Sequence, residues 1–599
     1  MKYIHNRSKL VIVLLLIVSA TISCEEDFLS ENPTDRLDLD SSFSTIEDAE
    51  VGLIGCYSVL QANSIFNAAG YPFYWGDLGV DTFTVFPFNP DRFLHSYTID
   101  PSDLTIERAW IEHYQAIKVV NVFLGRARLL SIENANTEAS PENIESFNNV
   151  KNRIIAEASF IRAVLYFNLV KMFGNIPLNI NEGTAADIND ELLPSVADEE
   201  VYRQIEKDLL FAEQWLDPTV NPSQPARSRD IANVYAVKGL LGKIYLQMTT
   251  SEENQGVGGG IDQEGNVVSI QERFQMAKEK FQDIIDSNVY SLMDNYADVF
   301  DPSMENQNTE LIFSVGFDGP GNSEGSTLGD VWGANGSPPG GAFNTRDILH
   351  AFALSYLEFD DITLTGGNFS TQQVNNFLFP FGTERRFQLI SDARFHTNVS
   401  RYNAGFFNRG GSIDSDEQDV KNAVNVALFQ WRPLKYQKPL GTEVPFGDQS
   451  FDFPYMRFAD ILLLQAEVHN ELNEPEQALS LVNQVRNRAF KNVTNAQKLE
   501  RIEIVNNGFS KDDILNIILR ERRWELAFEG HRKDDLIRTN KLRSILQDLP
   551  FNNENNPVEP ITSYREFKNI WPIPLTEVNL NSNAIQNCGY EAEGKPCFD

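Results

Sequence analysis

Apolar residues recur at three- and four-residue steps along much of the chain, a pattern that predicts a mostly helical protein. The clearest block is "NRIIAEASFIRAVLYFNLVKMFGNIPL". There Ile154, Ala158, Ile161, Leu165, Leu169 and Met172 fall on one helix face, Gly174 supplies a stop and Pro177 prevents continuation. "TIEDAEVGLIGCYSVLQA" opens with Thr45 as a cap and places Val51, Ile54, Tyr57, Val59 and Leu60 on the apolar side. A helix from about Ile106 to Leu130 follows. Others are expected near 197–216, 229–249, 271–287, 456–473, 475–490, 511–530 and 532–546, with Pro475 suited to a first turn.

The early helices come in pairs joined by modest loops. Tetratricopeptide-like stacking buries such faces against their neighbours, although no clean 34-residue consensus repeats here. Between about 300 and 455 the character changes to Gly, Asn, Ser and aromatic residues, as in "GFDGPGNSEGSTLGDVWGANGSPPGG", with "ELIFSVGF" as a short strand. The insertion is too long for a mere connector, and loops on a rigid scaffold are where binding residues collect. The expected architecture is a helical scaffold of tetratricopeptide-like pairs over about 41–300 and 456–599. A large irregular part with short strands, facing the ligand, completes a single domain over 41–599.

The first residues read differently. Lys2, Arg7 and Lys9 precede the apolar run Leu10–Val18 and the small residues Ser19, Ala20 and Thr21. This order is that of a secretory signal. The run is shorter than the ~20 apolar residues of a spanning helix. Cys24 stands where cleavage would make it the first mature residue, and "TISC" resembles a bacterial lipobox, with Thr21 where Leu is commoner. The expectation is a signal over 1–23 and an acidic, lipid-anchored tether over 24–40. Each buried methylene contributes ~0.8 kcal/mol, so two or three acyl chains hold lastingly.

The formal charge is −35, and −38 once Lys2, Arg7 and Lys9 leave with the signal. Such a surface argues against nucleic acid, which is held largely by cationic contacts to phosphate. Of four cysteines, Cys56 lies in an apolar helical pattern and reads as core. Cys588 and Cys597 flank a short loop, so they are either a disulfide of an oxidising compartment or free thiols.

Catalytic signatures are missing. There is no H-E-x-x-H or P-loop, the glycine-rich "GPGNSEG" (which spells G-x-S-x-G at 321–325) precedes no helical pattern and reads as a flexible loop, and His95, His113, His350 and His396 show no ligand spacing. No cofactor or metal is called for. Glu521, Glu525 and Glu529 recur at four-residue steps, with Arg486, Arg488, Arg522, Arg523 and Arg532 to offset them. Ion pairs locking packed helices are the expectation here, with a catalytic acid cluster as the alternative.

Aromatics give the functional lead. Trp75 beside Asp77, and Trp332 near Asn335, pair a flat apolar face with polar groups, the combination that a sugar ring needs. For Tyr71 to Trp75, core packing is the competing reading.

Several blocks together resemble the SusD/RagB family of Bacteroidetes surface lipoproteins. They are "AEASFIRAVLYFNLVKMFGNIPL", "RFADILLLQAEVHNEL", "VNQVRNRA", "ILRERRWELAFEGHRKDDLIR" and "WPIPLTEVNLNSNAIQNCGY", the last with Cys588 in place of a proline. The three acids after Cys24 resemble that group's export signal to the outer face of the outer membrane. The resemblance runs from Cys24 to about Tyr590. It implies no catalysis, a glycan ligand (or, alternatively, a peptide) and a SusC-like TonB-dependent barrel as partner. Its motifs are mostly structural and transfer no ligand residue. An anchored glycoside hydrolase and a purely structural transporter subunit are the competing functions.

Overall fold

In the computed structural model of the chain the described residues are 43–329 and 447–591 with short gaps, and fragments between 330 and 446. Residues 1–42 and 592–599 lie outside them.

Helix α1, Ile46–Ser58, starts where expected. Thr45 and Asp48 form a reciprocal capping box that satisfies two orphan N–H groups. Its inner face differs from the expectation. Ala49, Leu53 and Cys56 are buried, whereas Val51 and Ile54 are 71% and 64% exposed. The α1 helix lies close against its neighbours, and a side chain at Gly52 would run into the Phe43 and Phe123 rings. Burial pushes the Cys56 thiol well up, consistent with an inert core cysteine.

Helix α2 is Leu104–Leu129 and α3 is Pro141–Phe173. From Ile154 to Phe173 every residue of α3 is buried, on all sides rather than one. It is flanked by α2 and by α4, Asp198–Trp215. The stack continues through α5, Val234–Met248, and α6, Ile270–Asp286. It then runs through α7, Phe458–Glu471, and α8, Pro475–Ala489, each helix packing on the next. Helices α9, Lys511–Glu525, and α10, Arg532–Arg538, close it, with α9 against α7 and α8. The predicted helix pairs are therefore present as a continuous layer.

The strands are short. Expected residues 311–315 form β2, Leu311–Val315, which pairs antiparallel with β6, Phe453–Arg457, in an irregular register. Residues 456 and 457, expected in a helix, belong to this strand. A four-stranded antiparallel sheet has the order β1-β3-β5-β4, with β1 Phe83–Val85, β3 Arg346–Ile348, β4 Ser400–Asn403 and β5 Phe429–Arg432. It draws one strand from before the helical layer and three from the loop-rich part. One apolar cluster extends from Ala49 to Ile573.

Candidate functional site

Trp75 and Asp77 sit in a π-helical turn, Gly70–Asp77, and neither has any exposed surface. The Trp75 indole packs edge-on against Trp571 at 5.3 Å between ring centres, and its Nε1 donates to Asp534 Oδ1 at 2.7 Å. Asp77 Oδ2 accepts from the Gly530 backbone N–H at 2.9 Å. Burial is the main cause that pushes this carboxyl up to about 8. A side chain at Gly76 would collide with the Gly530 backbone. These residues weld an early segment to a late turn, so the packing reading holds and they are removed as ligand contacts. A fully covered indole offers no face to a sugar. Trp332, Asn335, Cys24 and Cys597 lie outside the described residues. Cys588 is disulfide-bonded.

The acidic column at 521, 525 and 529 is an ion-pair network. Arg457, at the end of β6, is its hub. Its Nη1 donates to Glu310 Oε1 at 2.6 Å and Glu525 Oε1 at 2.7 Å, and its Nε to Glu529 Oε2 at 2.6 Å. Arg488 pairs with Glu310 and Glu525, Arg394 with Asp392 and Glu521, Arg486 with Glu521, and Lys435 with Glu529. All these side chains are buried. Burial alone would raise Glu525, but Arg488, Arg457 and Arg394 outweigh it and hold the carboxyl at about 2. A carboxylate tied down in this way is structural rather than a general acid.

A second acidic group stands at the border of the loop-rich part. Asp230, Glu305 and Asp452 bring carboxylate oxygens within 4.8 Å of one another, and each residue is partly exposed. Asp230 Oδ1 accepts from Ser314 Oγ at 2.7 Å, and Asp452 Oδ1 from the Phe317 N–H at 2.9 Å. Burial, opposed by the Ser314 bond and abetted by Glu305, raises Asp230 to about 6. Burial and then Asp230 push Asp452 well up. An oxygen-only set of this kind suits a hard cation or hydroxyl donors. Nothing in the sequence marks it, because its three members are 75 or more residues apart and share no motif.

Loops converge beside this group. Gln61 Nε2 donates to Gly316 O at 2.7 Å, and the Gly321 N–H donates to Asp448 Oδ2 at 2.6 Å. Both the N–H and the hydroxyl of Thr327 donate to Asn67 Oδ1, at 2.9 and 3.0 Å. The described residues of segments 61–67, 316–329 and 447–452 thus form a pinned rim. Gly329, three residues before Trp332 in the chain, lies against Gln449 and Tyr436. Among the described residues no helix is long and apolar enough to cross a membrane.

Comparison with known proteins finds two family models. One described as "SusD family" matches residues 309–590, and one described as "Starch-binding associating with outer membrane" matches residues 80–246. The chain is 27% identical to SusD-like protein P25 of Formosa agariphila, over 96% of this chain and 98% of the relative. A SusD homologue of Bacteroides thetaiotaomicron superposes with a TM-score of 0.70 at 21% identity, over 92% of this chain and 99% of the other. A laminarin-binding SusD-like protein gives 0.61 at 21% identity, over 92% and 100%.

Proposed function

The chain belongs to the SusD family, and on that premise we propose that it is a non-catalytic, lipid-anchored receptor. It captures a glycan at the outer face of the outer membrane and passes it to a TonB-dependent barrel. The observation that supports glycan capture most is the near full-length likeness to a laminarin-binding protein of the same family. Thr327, held by Asn67, and Gly329, set against Gln449, lie only a few residues along the chain from Trp332 and Asn335. Carbohydrate faces stack on an exposed indole while amides and carboxylates take the hydroxyls. The compensated state of Glu521, Glu525 and Glu529 supports a role without catalysis.

Isothermal titration of the soluble mature chain against a panel of glycans tests the reading. One glycan should bind, and Trp332→Ala should weaken it at least tenfold with the melting temperature unchanged. Binding of peptides and of no glycan would reassign the ligand class. Release of reducing ends would overturn the non-catalytic assignment. Loss of palmitate labelling in Cys24→Ala, together with release of the protein from the membrane fraction, checks the anchor.

A further inference from the structure

A half-open cavity with about 60 Å³ of room for water lies between α3, α5, β6 and the turn that leads into α10. Phe66, Phe167, Phe453 and Tyr455 form much of its wall. Polar groups also face it. Asn168 is 1% exposed, and neither its Nδ2 nor its Oδ1 has a hydrogen-bond partner in the protein. The buried Nε2 of His531, which also lines the cavity, has none either. Lys171 and Lys243 reach the same space, each tied to one carboxylate: Asp534 at 2.5 Å and Asp460 at 2.6 Å.

We propose that this cavity is a hydration site, holding a long-lived cluster of about four to six waters at ~10–15 Å³ each. The waters bridge the Asn168 amide, His531 Nε2 and the two ammonium groups. Three arguments converge. An apolar guest would leave a buried amide and an imidazole nitrogen unpaired, which native interiors avoid. A small anion would find the charge already balanced, since the lining cations Lys171, Lys243, Arg522 and Arg538 are matched by Asp534, Asp460, Asp535 and Glu467. Asn168 presents donors and an acceptor together, and water answers both whereas a halide answers only the donors. Burial keeps the His531 ring neutral, with its pKa near 4, so its free nitrogen adds no positive charge that would call for an anion.

The test is a high-resolution crystal structure of the mature chain, with crystals soaked in bromide, beside oxygen-17 relaxation dispersion in solution. Expected are water peaks within hydrogen-bond distance of the Asn168 amide and His531 Nε2, no bromide anomalous signal there, and a count of long-lived waters that falls in Asn168→Leu. Asn168→Ala serves if the leucine variant fails to fold; it should keep the cluster and add a water in the space vacated by the amide. A bromide peak in the cavity, or a dry cavity with the wild-type count unchanged in Asn168→Leu, would overturn the proposal.

Discussion

Two groups of carboxylates in this protein behave in opposite ways. Around Glu525 every acid has a guanidinium or ammonium group against it, and the network is fully buried. Around Asp230 the acids face one another. Arg229 is near enough to be felt electrostatically, yet no ion pair joins it to Asp230, Glu305 or Asp452, and its Nη1 has no protein partner. Cations hold Glu525 and Glu529 below the ordinary carboxylate range, whereas burial and like charge push Asp230 and Asp452 above it. Acid clusters therefore carry no fixed meaning. Compensation marks a structural lock, and its absence marks a place where the fold tolerates repulsion beside the loop rim.

The largest expected effect comes from breaking the lock at its hub. Arg457→Met takes one buried cation from each of Glu310, Glu525 and Glu529, leaving Arg488, Arg394 and Lys435 to balance them, and should cost about 3–5 kcal/mol in urea unfolding. A loss under about 1 kcal/mol would mean that the network is a bystander. Trp75→Phe removes one charge-assisted bond to Asp534 and should cost about 1.5–3 kcal/mol. It should leave glycan affinity unchanged. A drop in affinity at unchanged stability would return Trp75 to the ligand site.

The smallest effect separates the two groups by pH. Glu525 lies at about 2 in the folded chain against 4.5 unperturbed. Its contribution is present above about pH 4.5 and is lost as pH falls toward 2. Asp230 lies at about 6 against 3.8. Its contribution is fully present below about pH 3.8 and is lost as pH rises through 6. Asp230→Asn should therefore flatten the stability profile between pH 4 and 6 and gain about 1 kcal/mol at pH 7. An unchanged slope would show that the repulsion is relieved by other means.

Helix existence was legible from periodicity, but several boundaries were not. The run 141–150 belongs to α3; it is mostly exposed, and its sparse apolar stripe of Ile144, Phe147 and Val150, after Ser140 and Pro141, is all that signals its start. Helix α9 ends at Glu525, not 530, where tertiary donors take carbonyls at and just beyond its last turn. Arg457 Nη2 donates to Glu525 O, Lys435 Nζ to Ala527 O and the Tyr436 hydroxyl to Phe528 O. Phe528 meets this demand with a φ of 67°, rare for an aromatic residue. Glu529 therefore lies beyond the helix whose column it was expected to extend. Asn540, at φ 54°, likewise splits the expected 532–546 helix in two. At the candidate site, sequence could pick out a tryptophan but could not tell a core indole from a loop one at Trp75. It could not see the Asp230 group, whose proximity exists only after folding.

The weld between the π-helical turn and the last helices has a consequence for biogenesis. Tyr71 and Trp75 reach Asp534 across 463 and 459 residues, and Asp77 and Asp81 reach Gly530 and Arg532 across 453 and 451. Contacts of such long range form late, after costly loop closure. The opening hundred residues must therefore wait, with their indole and carboxylates unmatched, until nearly the whole polypeptide has emerged. Such a chain sets only once its last sixth has been made.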